Sequence, residues 1–137
     1  MVDLTLHIRF LSDIAMFILI WLVQLVIYPA FHVVERDIFI QWHERYTRNI
    51  SFFVLPLMIA QGITTVLLLL RNAGFISILE LAGLLTAWGV TFTLSVPCHK
   101  KLHEIGRDER VIHRLIQTNW FRTIAWTAVM LLGWLPE

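Results

Sequence analysis

The sequence predicts an all-α integral membrane protein, a four-helix bundle with amphipathic or extended helical segments on the cytoplasmic side. Of its 137 residues, 58% are hydrophobic and 15% are charged, whereas soluble domains average about 45–50% and about 25%. The mean hydropathy is +0.71. The sequence shows none of the alternating ten-residue segments that build a membrane β-barrel. It does contain four apolar stretches, each about as long as a membrane-spanning helix requires.

Composition also excludes three other classes of protein. A disordered chain with this composition would leave too much apolar surface in water. A disulfide-stabilised secreted domain needs paired cysteines, and Cys98 is the single cysteine. A net charge of +1 gives no field that would steer the chain onto nucleic acid, so no nucleic-acid partner is expected. The length allows one domain, residues 1–137.

Window hydropathy places the four spans in chain order. They cover residues 10–28, 52–70, 75–96 and 120–135. A short turn ending at Gly74 joins the second span to the third, with that glycine available as a helix C-cap. The two longer connections carry apolar residues at helical spacing, which predicts amphipathic helices that lie along the headgroups or extend the spans. Gly106 is expected to break the second connection, and Asp108 to cap the helix after it.

Basic residues predict the orientation of the chain. Eight of the 11 lysines and arginines lie in the two longer connections, whereas the opposite side carries only Arg9 and Arg71. Because positively charged loops stay in the cytoplasm, we expect the long loops inside and both termini outside.

Polar side chains within the spans predict a cavity that opens toward the cytoplasm. Lipid cannot hydrogen-bond a side chain, so each polar group needs a partner or a cavity. Gln24 lies near the inner end of the first span, Gln61 lies near the midplane, and Asn119 and Arg122 open the fourth span. The glutamines either tie helices together, at roughly 1 kcal/mol each, or line the cavity. Arg122 either reaches a lipid phosphate or binds the carboxylate or phenolate of an amphiphilic substrate.

Two acidic residues lie inside the spans near the outer face. Asp13 and Glu80 each need a partner there, and Arg9 and Arg71 are available. We interpret this set as a salt-bridge layer that fixes helix register, ahead of a path for protons or cations.

Histidines at the inner mouth are the candidate catalytic groups. His99 and His103 have the i, i+4 spacing with which a helix grips one metal ion, and His43 would complete a site for zinc, copper or iron. His43 and His99 would act as ligands or as general bases. The alternative is a solvated interfacial helix with no metal, so the cofactor stays open.

Four motifs carry a resemblance over nearly the whole chain. They are Gln24-x3-Tyr28-Pro29-x-Phe31, Trp42-His43-x2-Tyr46, Val96-Pro97-x-His99-x2-Leu102 and Thr118-Asn119-Trp120-x-Arg122-Thr123-x-Ala125-Trp126. With them the chain resembles a small, largely uncharacterised bacterial four-span membrane protein family, which implies a bacterial inner (plasma) membrane location. A fainter similarity is to the anthrone-oxygenase-like four-helix membrane family. It implies oxidation of a phenolic, membrane-soluble substrate without a required metal, although Gln61 stands where many bacterial relatives have an acid.

These observations leave three functions open. The first is a membrane oxidoreductase or oxygenase acting on an aromatic or lipid-like substrate. Its catalytic residues would be His43 and His99, and its substrate-binding residues Gln24, Tyr28, Tyr46, Gln61, Asn119 and Arg122. The second is a non-catalytic subunit or scaffold that binds a lipid, quinone or pigment, and the third is a small transporter. The expected partners are the lipid bilayer and a small amphiphilic ligand. Gly83 and Ala87 permit close helix approach within the chain or in a homo-oligomer or membrane complex.

Overall fold

The computed structural model of the chain describes residues 3–135, and within that range all regular secondary structure is helical, without strands. Four long helices follow one another: α1 Leu4–Ala30, α2 Arg36–Arg71, α3 Phe75–Ile105 and α4 Glu109–Leu132. The first three are long and apolar enough to cross a membrane. The all-helical class and the membrane-protein class predicted from composition both agree with this architecture.

The four helices enclose a common interior. α1 packs against α2 and α4, and α3 packs against the same two helices. As a result α1 faces α3 across the interior, and α2 faces α4. Gly83 lets α3 approach α4 closely, since a Cβ there would lie 2.9 Å from Val129 Cγ2.

Three helices contain a proline: Pro29 in α1, Pro56 in α2 and Pro97 in α3. α1 and α3 contain π-helical segments at Val23–Ile27 and Thr91–Ser95. Each segment ends two residues before a proline, Pro29 or Pro97. A proline lacks an N–H and crowds the preceding turn. In α1 and α3 the turn before the proline is π-helical, whereas Pro56 lies within continuous α-helix. The helix that contains the third predicted span, 75–96, runs on to Ile105, which is one of the two arrangements expected for the connection after it.

The predicted amphipathic segments extend the spans as parts of the same helices. Gly106, at a φ of 79°, separates α3 from α4, and Asp108 Oδ1 accepts hydrogen bonds from the next helix's first backbone N–H groups, as predicted. Gly74 does not cap α2. The chain leaves that helix in an extended conformation at Asn72 (φ −149°), which needs no glycine, and Gly74 instead precedes α3.

The two ends of the molecule differ. We call the end with the turn at 72–74 the turn end, and the end with the connections at 31–35 and 106–108 the loop end. The fourth predicted span, 120–135, runs past the last residue of α4, Leu132.

Candidate functional site

A row of four hydrogen-bonded side chains crosses the interior near the loop end. We call it the histidine row, and it consists of His43, His99, Tyr28 and Arg122. His43 Nε2 lies 3.0 Å from His99 Nδ1, and His99 Nε2 lies 3.1 Å from the Tyr28 hydroxyl oxygen. Arg122 Nη1 donates a hydrogen bond to that same oxygen over 3.3 Å. Each of the four helices contributes one member of the row.

Neutral side chains support the guanidinium at the end of the row. Arg122 Nη1 also donates to Asn119 Oδ1 at 2.9 Å and to Ser95 Oγ at 3.2 Å. Asn119 Nδ2 in turn donates to Gln24 Oε1 at 2.9 Å. The Gln24 amide nitrogen donates to the backbone carbonyl of Ile116 at 3.3 Å. The sequence-predicted residues Gln24 and Asn119 therefore lie behind Arg122 and orient it.

Arg122 is a buried cation without an acidic partner. Only 6% of the residue is exposed, and its Nε has no hydrogen-bond partner. Among residues 3–135, no carboxylate lies within ion-pair distance of its guanidinium. Its remaining contact is the ring of Trp126, whose centroid lies 5.2 Å from the guanidinium carbon. A buried charge is costly unless it is paired, so this site favours an anion.

A cleft of about 340 Å³ lies between α2 and α3 and reaches the histidine row. Its polar part is formed by Tyr28, Tyr46, Ser95, His99 and Arg122, with Lys100 and His103 nearer the loop end. Its apolar part is formed by Val54, Leu55, Met58, Phe92 and Val96. This division of the lining suits an amphiphile, with a charged or phenolic head group near Arg122 and an apolar portion farther along the cleft.

His43 lies behind the cleft. The residue is fully buried, with its ring stacked on Phe39 and in edge contact with Phe31. Its Nδ1 is buried without a hydrogen-bond partner. His99, which lines the cleft, connects His43 to it.

The three histidines predicted to bind a metal do come together, as rings in contact. His103 packs against His43 with ring centroids 4.6 Å apart, and His103 Nε2 lies 3.2 Å from Thr47 Oγ1. The ring nitrogens of His43 and His99 that face each other share one hydrogen bond, so neither is free for an ion. In the described part of the chain, no group of three or more His, Cys, Asp or Glu side chains is placed to hold a metal. This arrangement does not fit a transition metal.

A second polar network lies toward the turn end. Arg9 Nε lies 3.3 Å from Asp13 Oδ2, and the same guanidinium pairs with Glu80. Gln61 Nε2 donates to Asp13 Oδ1 at 2.7 Å, while Gln61 Oε1 accepts from Trp126 Nε1 at 3.0 Å. The amide of Gln61 is thus used within this network, and Gln61 does not line the cleft.

The predicted salt-bridge layer is present, and among residues 3–135 Arg9 is the cation that pairs with both Asp13 and Glu80. Arg71, the other expected partner, instead pairs with Asp3 at 2.8 Å near the surface. Ser95, which sequence reasoning did not select, is a partner of Arg122. Its signal was its position one helical turn before His99, on the same face of α3.

An exposed charge cluster joins α1 to the start of α4 at the loop end. His32 Nδ1 is hydrogen-bonded to Glu109 Oε2, and Arg107 Nε donates to Glu109 Oε1 at 2.8 Å. These two hydrogen bonds, that of His32 first, hold the pKa of Glu109 below its ordinary value.

Comparisons of the chain with protein-family models, with curated proteins and with solved structures give no match.

Proposed function

We propose that the protein is a four-span membrane oxidoreductase or oxygenase that acts on a small amphiphile with an anionic or phenolic head group bound in the cleft. The observation that carries this proposal is Arg122, a buried guanidinium whose side-chain hydrogen-bond partners are all neutral. An arginine in such a place binds carboxylate or phenolate oxygens through charge-assisted hydrogen bonds. The free Nε supplies one more donor.

A membrane location for all four helices supports the proposal. α4 packs between α1 and α3, both of which are long and apolar enough to span. Its 24 residues measure about 36 Å at 1.5 Å per residue, and a helix held between two spanning helices crosses with them. The basic residues of the two longer connections favour a cytoplasmic loop end, and the resemblance to a bacterial four-span family favours a bacterial inner membrane.

The histidine row supports proton transfer from a phenolic head group. Arg122 can only donate hydrogen bonds, so the Tyr28 oxygen accepts from it. The Tyr28 hydroxyl can then donate to His99 Nε2, and His99 Nδ1 to His43 Nε2. In the opposite arrangement, His43 Nε2 donates to His99 Nδ1 and His99 Nε2 donates to the Tyr28 oxygen. The Tyr28 hydroxyl then donates its hydrogen toward the cleft. A proton that the Tyr28 oxygen accepts from the cleft therefore moves the Tyr28 proton to His99 and the His99 Nδ1 proton to His43, which ends as an imidazolium. The hydrogen bonds of the row then point in the opposite direction.

Loss of the phenolic proton to this row leaves a phenolate beside Arg122, which stabilises its charge. Molecular oxygen is the oxidant: one of its atoms bonds to an unsubstituted ring carbon. The other leaves as water with the phenolic proton and the hydrogen displaced from that carbon, so that a phenol and O2 give a quinone and water. No metal is needed for the proton transfer, since imidazole nitrogens accept the proton.

The direct test uses 4-nitrophenol, because its phenolate absorbs visible light and its phenol does not. Purified protein in lipid nanodiscs is titrated with this compound, and both binding and ionisation are read from the spectrum. Arg122→Gln should weaken binding about 10- to 150-fold, the value of a hydrogen bond to a charged group. Arg114→Gln, an exposed arginine on the same helix, is the matched control and should bind as wild type does. Equal binding by both variants would refute the role of Arg122.

A second candidate function is binding without catalysis. Both nitrogens of His99 already have partners within the chain, so the row is complete without any ligand. Oxygen consumption in the presence of an alkylphenol separates the two. Wild-type protein that binds the phenol through Arg122 and consumes no oxygen would be a binding protein for a lipid, quinone or pigment.

The third candidate, a small transporter, has less support. Arg122 of the histidine row contacts the ring of Trp126, which donates a hydrogen bond to Gln61 of the second polar network. A fixed positive charge on the axis opposes passage of protons and cations.

A further inference from the structure

An apolar groove continues the cleft toward the turn end. It has a volume of about 470 Å³. Its lining is Ile59, Gly62, Ile63, Val66 and Leu67 of α2 and Leu81, Leu84, Leu85 and Trp88 of α3. Several of these side chains remain accessible, Ile63 with 57% and Leu85 with 58% of their surface. The groove is therefore open along the α2–α3 face of the molecule.

The groove and the cleft follow one another along the same pair of helices. On α2, Met58 lines the cleft and Ile59 lines the groove. On α3, Thr91 lines the cleft and Trp88, one turn away, lines the groove. From His99 to Leu81 the path covers 18 residues, about 27 Å of helix at 1.5 Å per residue. This is close to the thickness of the hydrocarbon core, about 30 Å.

We infer that the substrate of the proposed function is a phenol with one long apolar tail, which lies along this groove while its head group binds at Arg122. This inference rests on the proposed function and names its substrate class. The groove offers the tail a nearly wholly apolar surface, and the cleft offers the head group the polar one. A ligand of this shape places each of its parts against lining of its own polarity.

Trp88 and Gly62 mark the junction between the two parts. The indole Nε1 of Trp88 is buried without a hydrogen-bond partner, so a ligand oxygen close to the start of the tail would satisfy it. Gly62 sets the position of the ring, because a Cβ there would lie 3.0 Å from Trp88 Cη2. A larger residue at 62 would push the indole out of place and fill the groove. Gly62 is therefore a specificity-determining position for tail length.

The test compares two phenols that share a head group, 4-ethylphenol and 4-dodecylphenol, on protein in nanodiscs. Gly62→Leu should weaken binding of 4-dodecylphenol at least about threefold, because the tail loses its van der Waals packing against α2 and α3, while lipid around the protein is as apolar as the groove. Binding of 4-ethylphenol should stay within about twofold, since the short phenol does not reach the groove. The matched control is Gly89→Leu, which makes the same exchange on a helix surface where a Cβ meets nothing within 4 Å. Partitioning of the long phenol into lipid is common to every variant and cancels in the comparison.

A second variant keeps the test decisive if Gly62→Leu does not fold. Ile63→Trp fills the groove from an exposed position, and Leu70→Trp, also exposed and outside the groove, is its control. Unchanged binding of 4-dodecylphenol in both groove variants would overturn the inference, because lipid would then be the only occupant of the groove. The proposed function would survive that result if 4-ethylphenol binding still depended on Arg122. It would fail separately if neither phenol depended on Arg122.

Discussion

Removal of Arg9 should be the most destabilising single change in the interior of the molecule. Its guanidinium pairs with Asp13 and Glu80 together. These acids are 3% and 2% exposed, and Arg9 itself is 8% exposed. The set therefore contains two acidic groups and one basic group. Arg9→Gln leaves both acids without their cation, and breaking a buried ion pair in this way costs about 3–5 kcal/mol.

Removal of one of the two acids should destabilise the protein much less. Glu80→Gln keeps the side-chain shape and leaves one arginine with one carboxylate, Asp13, so the remaining charges balance. A triple variant, Arg9→Gln with Asp13→Asn and Glu80→Gln, removes all three formal charges and should recover much of the stability lost by Arg9→Gln alone, because buried ion clusters can be replaced by neutral groups at little net cost.

The assay is reversible unfolding in mixed micelles, with the free energy of unfolding measured for each variant. Arg71→Gln is the control, since that arginine pairs at the surface with Asp3 and exposed pairs contribute about 0–1 kcal/mol. The reasoning is refuted if Arg9→Gln is no more destabilising than Glu80→Gln, or if the triple variant is as unstable as Arg9→Gln.

Three further predictions concern packing, the histidine row and pH. Gly83→Ala should destabilise the protein by about 1–3 kcal/mol through overpacking against Val129, and adding Val129→Ala should relieve most of that loss; additive losses in the unfolding assay would contradict this. His43→Phe, within a pocket that already holds aromatic rings, should preserve the fold and 4-nitrophenol binding. It should lower the rate of oxygen consumption with an alkylphenol at least about 100-fold, the lower contribution expected of general-base chemistry, and an unchanged rate would exclude His43 from the relay. His32 and Arg107 hold the pKa of Glu109 low in the folded protein. The bonds of Glu109 therefore stabilise the fold at pH values above its unfolded-state pKa of about 4.3, and this stabilisation is lost as the pH falls through its lower folded-state pKa. Glu109→Gln should flatten that part of the stability–pH curve, and an unchanged curve would show that the cluster does not contribute.

The helical class, the boundary between α3 and α4 and the polar residues at the loop end could be predicted from the sequence. Hydropathy and helical spacing located the apolar stretches, and Asp108 and Gly106 marked the boundary between α3 and α4. The polar residues selected at the loop end, including Tyr28, His99 and Arg122, do meet. Their positions within apolar helices were enough to predict that they meet, because a polar side chain in an apolar segment faces the interior that the helices share.

The pairing of those residues was not accessible from sequence. Gln24 and Gln61 look alike as single amides in apolar helices, yet one orients Arg122 and the other bonds Asp13, 48 residues away in the chain. Partner choice depends on how each helix is rotated about its axis and how far it is shifted along its neighbours. The continuation of α3 through Pro97 could not be decided from sequence for a related reason: the π-helical turn before it has no sequence signature beyond the proline itself.

The histidine row takes one residue from each helix, and this has a consequence for how the site comes into being. Neither helical hairpin, α1–α2 nor α3–α4, carries more than half of the row, so a ribosome-bound chain has no site until its last helix docks. If the two hairpins are produced as separate polypeptides, neither should bind the phenol alone. Co-expression should restore binding only to the extent that the halves associate.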